Sequence, residues 1–174
     1  MRLFVKNPVL LFSAGRQAIK FRYLLYFSFV CLLGSAVGSY SIAFIGDDDA
    51  APNDERWLLA IIVLLCGILF FGGMTLYATR YVVALWWDVQ PQTVTIETMR
   101  LHGTTRRQHR VADFSGVDFS AGKYRTYYHR IETPYLKLRV RGRHLPYVVD
   151  LQGSFPDRLR FDHLFRDSAA NASR

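Results

Sequence analysis

The sequence is poor in the groups from which enzymes and disulfide frameworks are built. Its two cysteines, Cys31 and Cys66, both lie inside apolar runs, which excludes a disulfide scaffold and a cysteine-based zinc site. The five histidines, His102, His109, His129, His144 and His163, form no His-x-x-x-His or Glu-x-x-His spacing. There is no Walker loop, no G-x-G-x-x-G and no G-x-S-x-G, and acid pairs such as Asp113 with Asp118 read as loop and turn residues rather than a catalytic dyad. The expectation is a chain with no catalytic residue, no cofactor and no metal. A further absence organises the rest: residues 23–45 and 57–79 contain no Asp, Glu, Lys, Arg or His at all.

At a rise of about 1.5 Å per residue, each of those runs crosses a hydrocarbon core of roughly 30 Å. The alternative, a pair of buried helices in a soluble protein, needs less apolar length, so the sequence predicts a transmembrane hairpin over 23–79 with an acidic turn at 46–56. Charge orients it. Arg2, Lys6, Arg16, Lys20 and Arg22 precede the first span with no acid among them, whereas the turn carries Asp47, Asp48, Asp49, Asp54 and Glu55 against Arg56. From Arg80 onward there are 16 Lys plus Arg against 9 Asp plus Glu. Basic flanks stay on the side of synthesis, which places both termini in the mitochondrial matrix or, in a bacterium, the cytoplasm. Spans without an ionisable group also argue against an ion or proton pathway.

Residues 1–22 mix apolar and basic residues with no acid, the composition of a mitochondrial transit segment. Asn7 and Pro8 suit an N-cap and first helical position, so residues 8–20 are predicted to form an amphipathic helix on the inner membrane surface. Within the spans, Gly34 and Gly38 make a G-x-x-x-G step, and Gly67, Gly72 and Gly73 offer a second flat surface. Gly34 and Gly67 lie at equal depth and are expected to meet. These glycines either pack the hairpin or also dock it onto a larger membrane complex. Tyr40, Trp57, Tyr77, Tyr81, Trp86 and Trp87 mark the interfaces at the span ends. With no flexible linker after Arg80, the soluble part is expected to be held rigidly at the membrane surface.

Beyond Arg80 the pattern is β. Strands are predicted at 81–87, 93–99, 135–141 and 146–151, with weaker candidates at 105–111, 117–121 and 124–129. Ser154, Pro156 and Asp157 start a helix over 156–165, and 167–174 reads as a polar tail. The fold class is thus a membrane protein, a two-helix hairpin followed over 80–166 by a small, mostly antiparallel α+β domain with a C-terminal helix. The pleckstrin-homology fold is the nearest analogy.

The basic N-terminus, the hairpin with its short outer turn and the Arg80-Tyr81 lead into a β domain resemble the two-pass mitochondrial inner-membrane assembly factors that include transmembrane proteins seventy, one-eighty-six and two-twenty-three. So do the strand Thr93-Val94-Thr95-Ile96, Gly103, the pair Arg106-Arg107, and Val111 with Asp113-Phe114. The resemblance runs from about Arg22 to Phe114. It implies a non-enzymatic protein that binds subunits of respiratory complexes or ATP synthase, and it brings no catalytic residue with it.

The remaining candidate is a basic surface. Arg16, Lys20, Arg22 and Arg80 flank the spans, and Arg106, Arg107 and Arg110 follow Gly103. Lys123 and Arg125 interleave with Tyr124, Tyr127 and Tyr128, and Arg139, Arg141 and Arg143 alternate as though projecting from one strand face. Such a face is either simply solvated or meets anionic headgroups such as cardiolipin, acidic partner subunits or RNA, with partner subunit and lipid ranked above RNA. Two functions follow: an accessory subunit or assembly factor of an inner-membrane respiratory-chain or ATP synthase complex, or a bacterial membrane-anchored, pleckstrin-like module that binds lipid or a signalling partner.

Overall fold

A computed structural model of the chain describes residues 8–45, 53–90, 92–120, 123–125, 130–132 and 134–171. Arg2, Lys6, the acidic residues Asp47, Asp48 and Asp49, the tyrosines Tyr127 and Tyr128, and the end of the polar tail lie outside these. The chain divides into two units, Lys20–Ala78 on one hand and Met1–Ile19 with Thr79–Arg174 on the other.

The first unit is the hairpin, made by α1 (Arg16–Phe44) from Lys20 onward and α2 (Asn53–Ala78). Both helices are long and apolar enough to cross a membrane. Their burial is inverted relative to a soluble protein: Val37, Leu65, Leu69 and Phe70 are exposed, while Ser28 and Ala60 are buried. The seam on α1 runs Leu25, Ser28, Leu32, Ser35, Ser39, Ile42. This three-and-four alternation keeps one stripe facing a partner helix that crosses at a shallow angle. Ser39 Oγ donates to the Ala60 carbonyl across the seam at 2.8 Å. Arg56, in the first turn of α2, donates from Nε to the Ile42 carbonyl at 3.3 Å, so a cation satisfies one of the acceptors that the end of α1 leaves unpaired. Phe44 and Trp57 close the same end edge to face, 5.3 Å between centroids.

Among the described residues the second unit holds a four-stranded, a three-stranded and a two-stranded antiparallel sheet, and a helix. β1 (Val9–Ser13), β2 (Val82–Asp88), β3 (Thr93–Met99) and β4 (Thr104–Arg110) form a four-stranded sheet in that order. After a single 3₁₀ turn at Val111–Asp113, β5 (Phe114–Ser120), β8 (Tyr135–Val140) and β9 (Tyr147–Asp150) form a three-stranded sheet in the order β5-β8-β9. A small hairpin of β6 (Lys123–Arg125) and β7 (Arg130–Glu132) is inserted into it, and α3 (Arg158–Asn171) follows. Alternation fills the core as the strand period requires: Val94 and Ile96 on β3 meet Leu85 on β2, and all are fully buried with Leu138, Tyr147 and Val149 of the second sheet.

The N-terminal segment departs from expectation. Instead of a surface helix over 8–20, Val9–Ser13 is a strand paired with β2, Val9 opposite Trp87 and Ser13 opposite Ala84. The bulge between Leu10 and Phe12 turns two successive residues, Leu11 and Phe12, into the core, where both are fully buried. Gly15, at φ +51°, makes the left-handed corner from which α1 then starts at Arg16. The β1 end is pinned by paired backbone bonds between Ser13 and Ser154, and a Cβ on Gly153 would fall on the Phe12 ring. An amphipathic pattern with strong apolar content reads equally well as a buried strand, and the unpaired edge of β2 decides between them.

The other differences are smaller. Of the strand expected at 124–129, Tyr124 and Arg125 belong to β6, and 126–129 lie outside the described residues. α3 begins at Arg158 and runs on to Asn171, into the stretch expected to be a polar tail.

Candidate functional site

The densest polar cluster is built on the turn between β8 and β9. Gly142, at φ +79°, reverses the chain after β8 and directs Arg143 back over the domain. The Arg143 guanidinium lies 3.7 Å from the centre of the Tyr147 ring, donates from Nε to the Leu145 carbonyl at 2.9 Å and from Nη2 to the Thr79 carbonyl at 3.2 Å. Nη1 is buried without a hydrogen-bond partner among the described residues. Tyr147 is fully buried, and its hydroxyl is 3.0 Å from His109 Nε2 on β4. His109 also meets Phe114 edge to face. Arg80 donates from Nε to the Pro146 carbonyl at 3.2 Å, while its own carbonyl accepts from the Val148 N–H at 2.8 Å. Arg107, two residues before His109 on the same face of β4, completes the group.

Electrostatics follow from this crowding of cations. Burial holds His109 below the ordinary imidazole value, Arg143 and Arg107 push the same way, and Asp113 only partly opposes them. Arg143 is likewise lowered by burial and by repulsion from Arg107 and Arg80, with Tyr147 opposing. None of Arg80, Arg107 and Arg143 has a carboxylate partner among the described residues.

The other basic residues are distributed differently. Arg106 pairs with Glu97 across the β3-β4 pair at 3.3 Å, and Arg139 with Asp118 at 2.8 Å, so both are partly neutralised. Arg139, Arg141 and Arg143 do not share a strand face: β8 ends at Val140, Arg141 is exposed in the turn, and Arg143 folds inward. Arg110 donates its backbone N–H to Asp113 at 3.1 Å. Arg16, Lys20 and Arg22 are exposed along the start of α1. Lys123 and Arg125 belong to β6, and their side chains lie outside the described residues. Among the described residues no three His, Cys, Asp or Glu side chains converge.

The glycines also separate into two sets. Gly67 is in the seam: a Cβ there would fall on Ser35 Oγ and lie 2.7 Å from Ser35 Cβ. Its opposite number is therefore Ser35, not Gly34. Gly38 is at the seam edge, 4.0 Å from Val63 Cγ1 for an added Cβ, whereas Gly34, Gly72 and Gly73 have nothing within 4 Å. Small residues that do the packing include serines, because a serine hydroxyl can bond back to its own helix, as Ser35 Oγ does to the Leu32 carbonyl at 2.8 Å.

Arg143 is a candidate from sequence, but its inward course, and the part His109 takes in the cluster, were not read there. The available signal was the alternation Thr105, Arg107, His109 along β4, which becomes an inner face only once Val94 is paired with His109. On the opposite face of the same sheet, Trp86, Thr95 and Gln108 lie in one cross-strand row and line a cavity of about 660 Å³ with Pro8 and Arg106.

Comparison with curated proteins returns no match. A family profile, described as the TMEM70/TMEM186/TMEM223 protein family, matches residues 7–166, which takes in β1, the hairpin, both sheets and the start of α3. The chain is a membrane protein and belongs to the TMEM70/TMEM186/TMEM223 family.

Proposed function

We propose that this protein is a non-catalytic accessory subunit or assembly factor of an inner-membrane respiratory-chain or ATP synthase complex, with its β domain in the mitochondrial matrix. The observation that carries this reading is the family match over residues 7–166. Two features support it. The pairing of β1, before the hairpin, with β2, after it, supports both feet of the hairpin on one side of the membrane, and the basic flanks support the inner side. Gly34, Gly72 and Gly73 are left out of the hairpin seam and offer flat surface to another helix.

The test is gentle-detergent extraction, native gel separation and mass spectrometry of co-migrating proteins, for the natural chain and for Gly34→Leu and Gly72→Leu. Migration with respiratory or ATP synthase subunits supports the proposal, and the ratio of this chain to theirs separates a permanent subunit from a transient factor. Loss of that migration in either variant, with membrane insertion intact, assigns docking to the open glycine surface. Migration of the natural chain as a small lipid-loaded species refutes the complex reading and favours a free-standing lipid-binding module.

A further inference from the structure

We propose that Arg80, Arg107 and Arg143 together form a site for the headgroup phosphate of an anionic phospholipid, placed where the chain leaves its second span. The inference rests on the reading that the β domain lies against a leaflet, and it goes beyond a generally basic face by assigning one cluster and one chemistry.

Three observations carry it. The first is position. Arg80 is two residues past the last residue of α2, Ala78, so its backbone lies within about 8 Å of the end of a membrane span, at the depth of headgroups. Arg143 donates to the carbonyl of Thr79, the residue that directly follows the span. The second is construction. The Arg80 and Arg143 side chains are held by backbone carbonyls of the 143–147 turn, Arg143 is stacked on Tyr147, and His109 fixes the Tyr147 hydroxyl. Arg107 stands on the same β4 face as His109, about 7 Å away by strand rise, exposed and free of any ion pair among the described residues. The third is unbalanced charge. Arg106 and Arg139 each have a carboxylate at bonding distance, but these three have none among the described residues. Asp113, the acid felt at His109, is already accepting the Arg110 N–H. Burial and mutual repulsion destabilise the Arg143 cation, and a bound phosphate would relieve that cost.

A phosphate diester suits such a set, because guanidinium forks donate to its two free oxygens and a neutral His109 beside them adds no charge of its own. An acidic protein surface is the competing occupant. Lipid is favoured by the covalent adjacency to the span, which brings headgroups to the site at the high local concentration of a bilayer.

The experiment is native mass spectrometry of the full chain in neutral detergent, titrated with phosphatidylglycerol, cardiolipin or phosphatidylcholine, for the natural chain, Arg107→Gln, Arg143→Lys and the control Arg158→Gln. Arg107 is exposed and has no ion pair among the described residues, so its replacement leaves the fold intact. Arg143→Lys keeps the charge and removes the fork, and its melting temperature is read alongside. The expected result is one retained anionic lipid preferred over phosphatidylcholine, about fivefold weaker in Arg107→Gln and unchanged in Arg158→Gln, the ratio that one headgroup-level arginine supplies. Equal retention by the natural chain and Arg107→Gln overturns the proposal, as does the absence of preference over phosphatidylcholine. Displacement of the lipid by millimolar inorganic phosphate overturns the lipid as its source and leaves a soluble-phosphate site. If Arg107→Gln loses co-purifying subunits while lipid retention stays the same, the cluster serves an acidic protein surface and the lipid assignment fails. Because lipid retention and subunit co-migration are read separately, either this inference or the complex reading can fail without the other.

Discussion

The hairpin and the β domain bury opposite kinds of residue. In the hairpin Leu65, Leu69 and Phe70 face outward and Ser28, Ser35 and Gly67 form the contact, whereas in the β domain Leu85, Val94 and Ile96 are sealed in and Arg107 and Arg158 are outside. The same amino acids thus take reversed places in one chain. In water, apolar area leaves solvent at roughly 25 cal/mol per Å², so strands turn their large side chains inward. In lipid that difference disappears, and helices associate through close backbone approach and a few hydrogen bonds such as Ser39 to Ala60. Size therefore governs one interface and polarity the other.

The largest effect that sharpens this contrast comes from the β domain's most unexpected member. Phe12 is fully buried and its ring centre is 5.0 Å from that of Phe155, so Phe12→Ala should destabilise the domain by about 3–5 kcal/mol. Denaturant unfolding of the full chain in detergent, followed by tryptophan emission from Trp86 and Trp87, measures it. If residues 9–13 merely lay on the membrane, the midpoint would hardly move. Ile96→Ala, a truncation of the same kind in the centre of the sheet, should cost about 2–5 kcal/mol, while Leu69→Ala on the outer hairpin face should change helix association by less than about 0.5 kcal/mol.

Within the hairpin the contrast inverts: adding atoms harms where removing them does not. Gly67→Leu should separate the helices at Ser35 at a cost of about 1–3 kcal/mol, and Gly72→Leu should leave the pair unchanged. Cross-linking between cysteines introduced at Ser39 and Ala60, in a background lacking Cys31 and Cys66, reports the separation. Equal cross-linking in both variants would show that the seam does not run through Gly67.

The smallest effect is on pH dependence. Burial depresses the folded His109 pKa, so its neutral form is the one the fold favours. Its contribution to stability is complete above the ordinary imidazole value near 6.5 and is lost as pH falls from there through the lowered folded value. His109→Gln should therefore flatten the fall of the melting temperature as pH drops below about 6.5. An unchanged slope would assign that dependence to other groups. Replacing the exposed Arg106 or Arg139, each in a surface pair, should alter stability by under about 1 kcal/mol.

Much of the fold was legible because its signals are local. The strand 93–99 was predicted with its observed bounds, since Thr93 to Met99 alternates cleanly and Gly103 marks the following turn. The spans were legible from the absence of charge, and the family from the order of hairpin and strands. The misreadings concern geometry that a local pattern does not fix. Residues 9–13 carry an apolar-basic pattern that fits a surface helix until β2, some seventy positions later, presents an edge. Gly34 and Gly67 match in depth, yet helix rotation sets Ser35 opposite Gly67. Arg143 continues the alternation of Arg139 and Arg141 in sequence, but the left-handed Gly142 breaks the strand and turns it onto Tyr147.

By itself, then, the sequence determined what each stretch is made for: long spans without charge suit lipid, and alternating strands must cover a core. These follow from side-chain chemistry summed over contiguous residues. Only the tertiary structure decided that the N-terminal segment is a strand of the sheet, which glycines meet a neighbour, and that Arg80 and Arg143 converge on one turn. Those outcomes depend on register and on helix rotation. A shift of one residue reverses them without altering the composition of any segment.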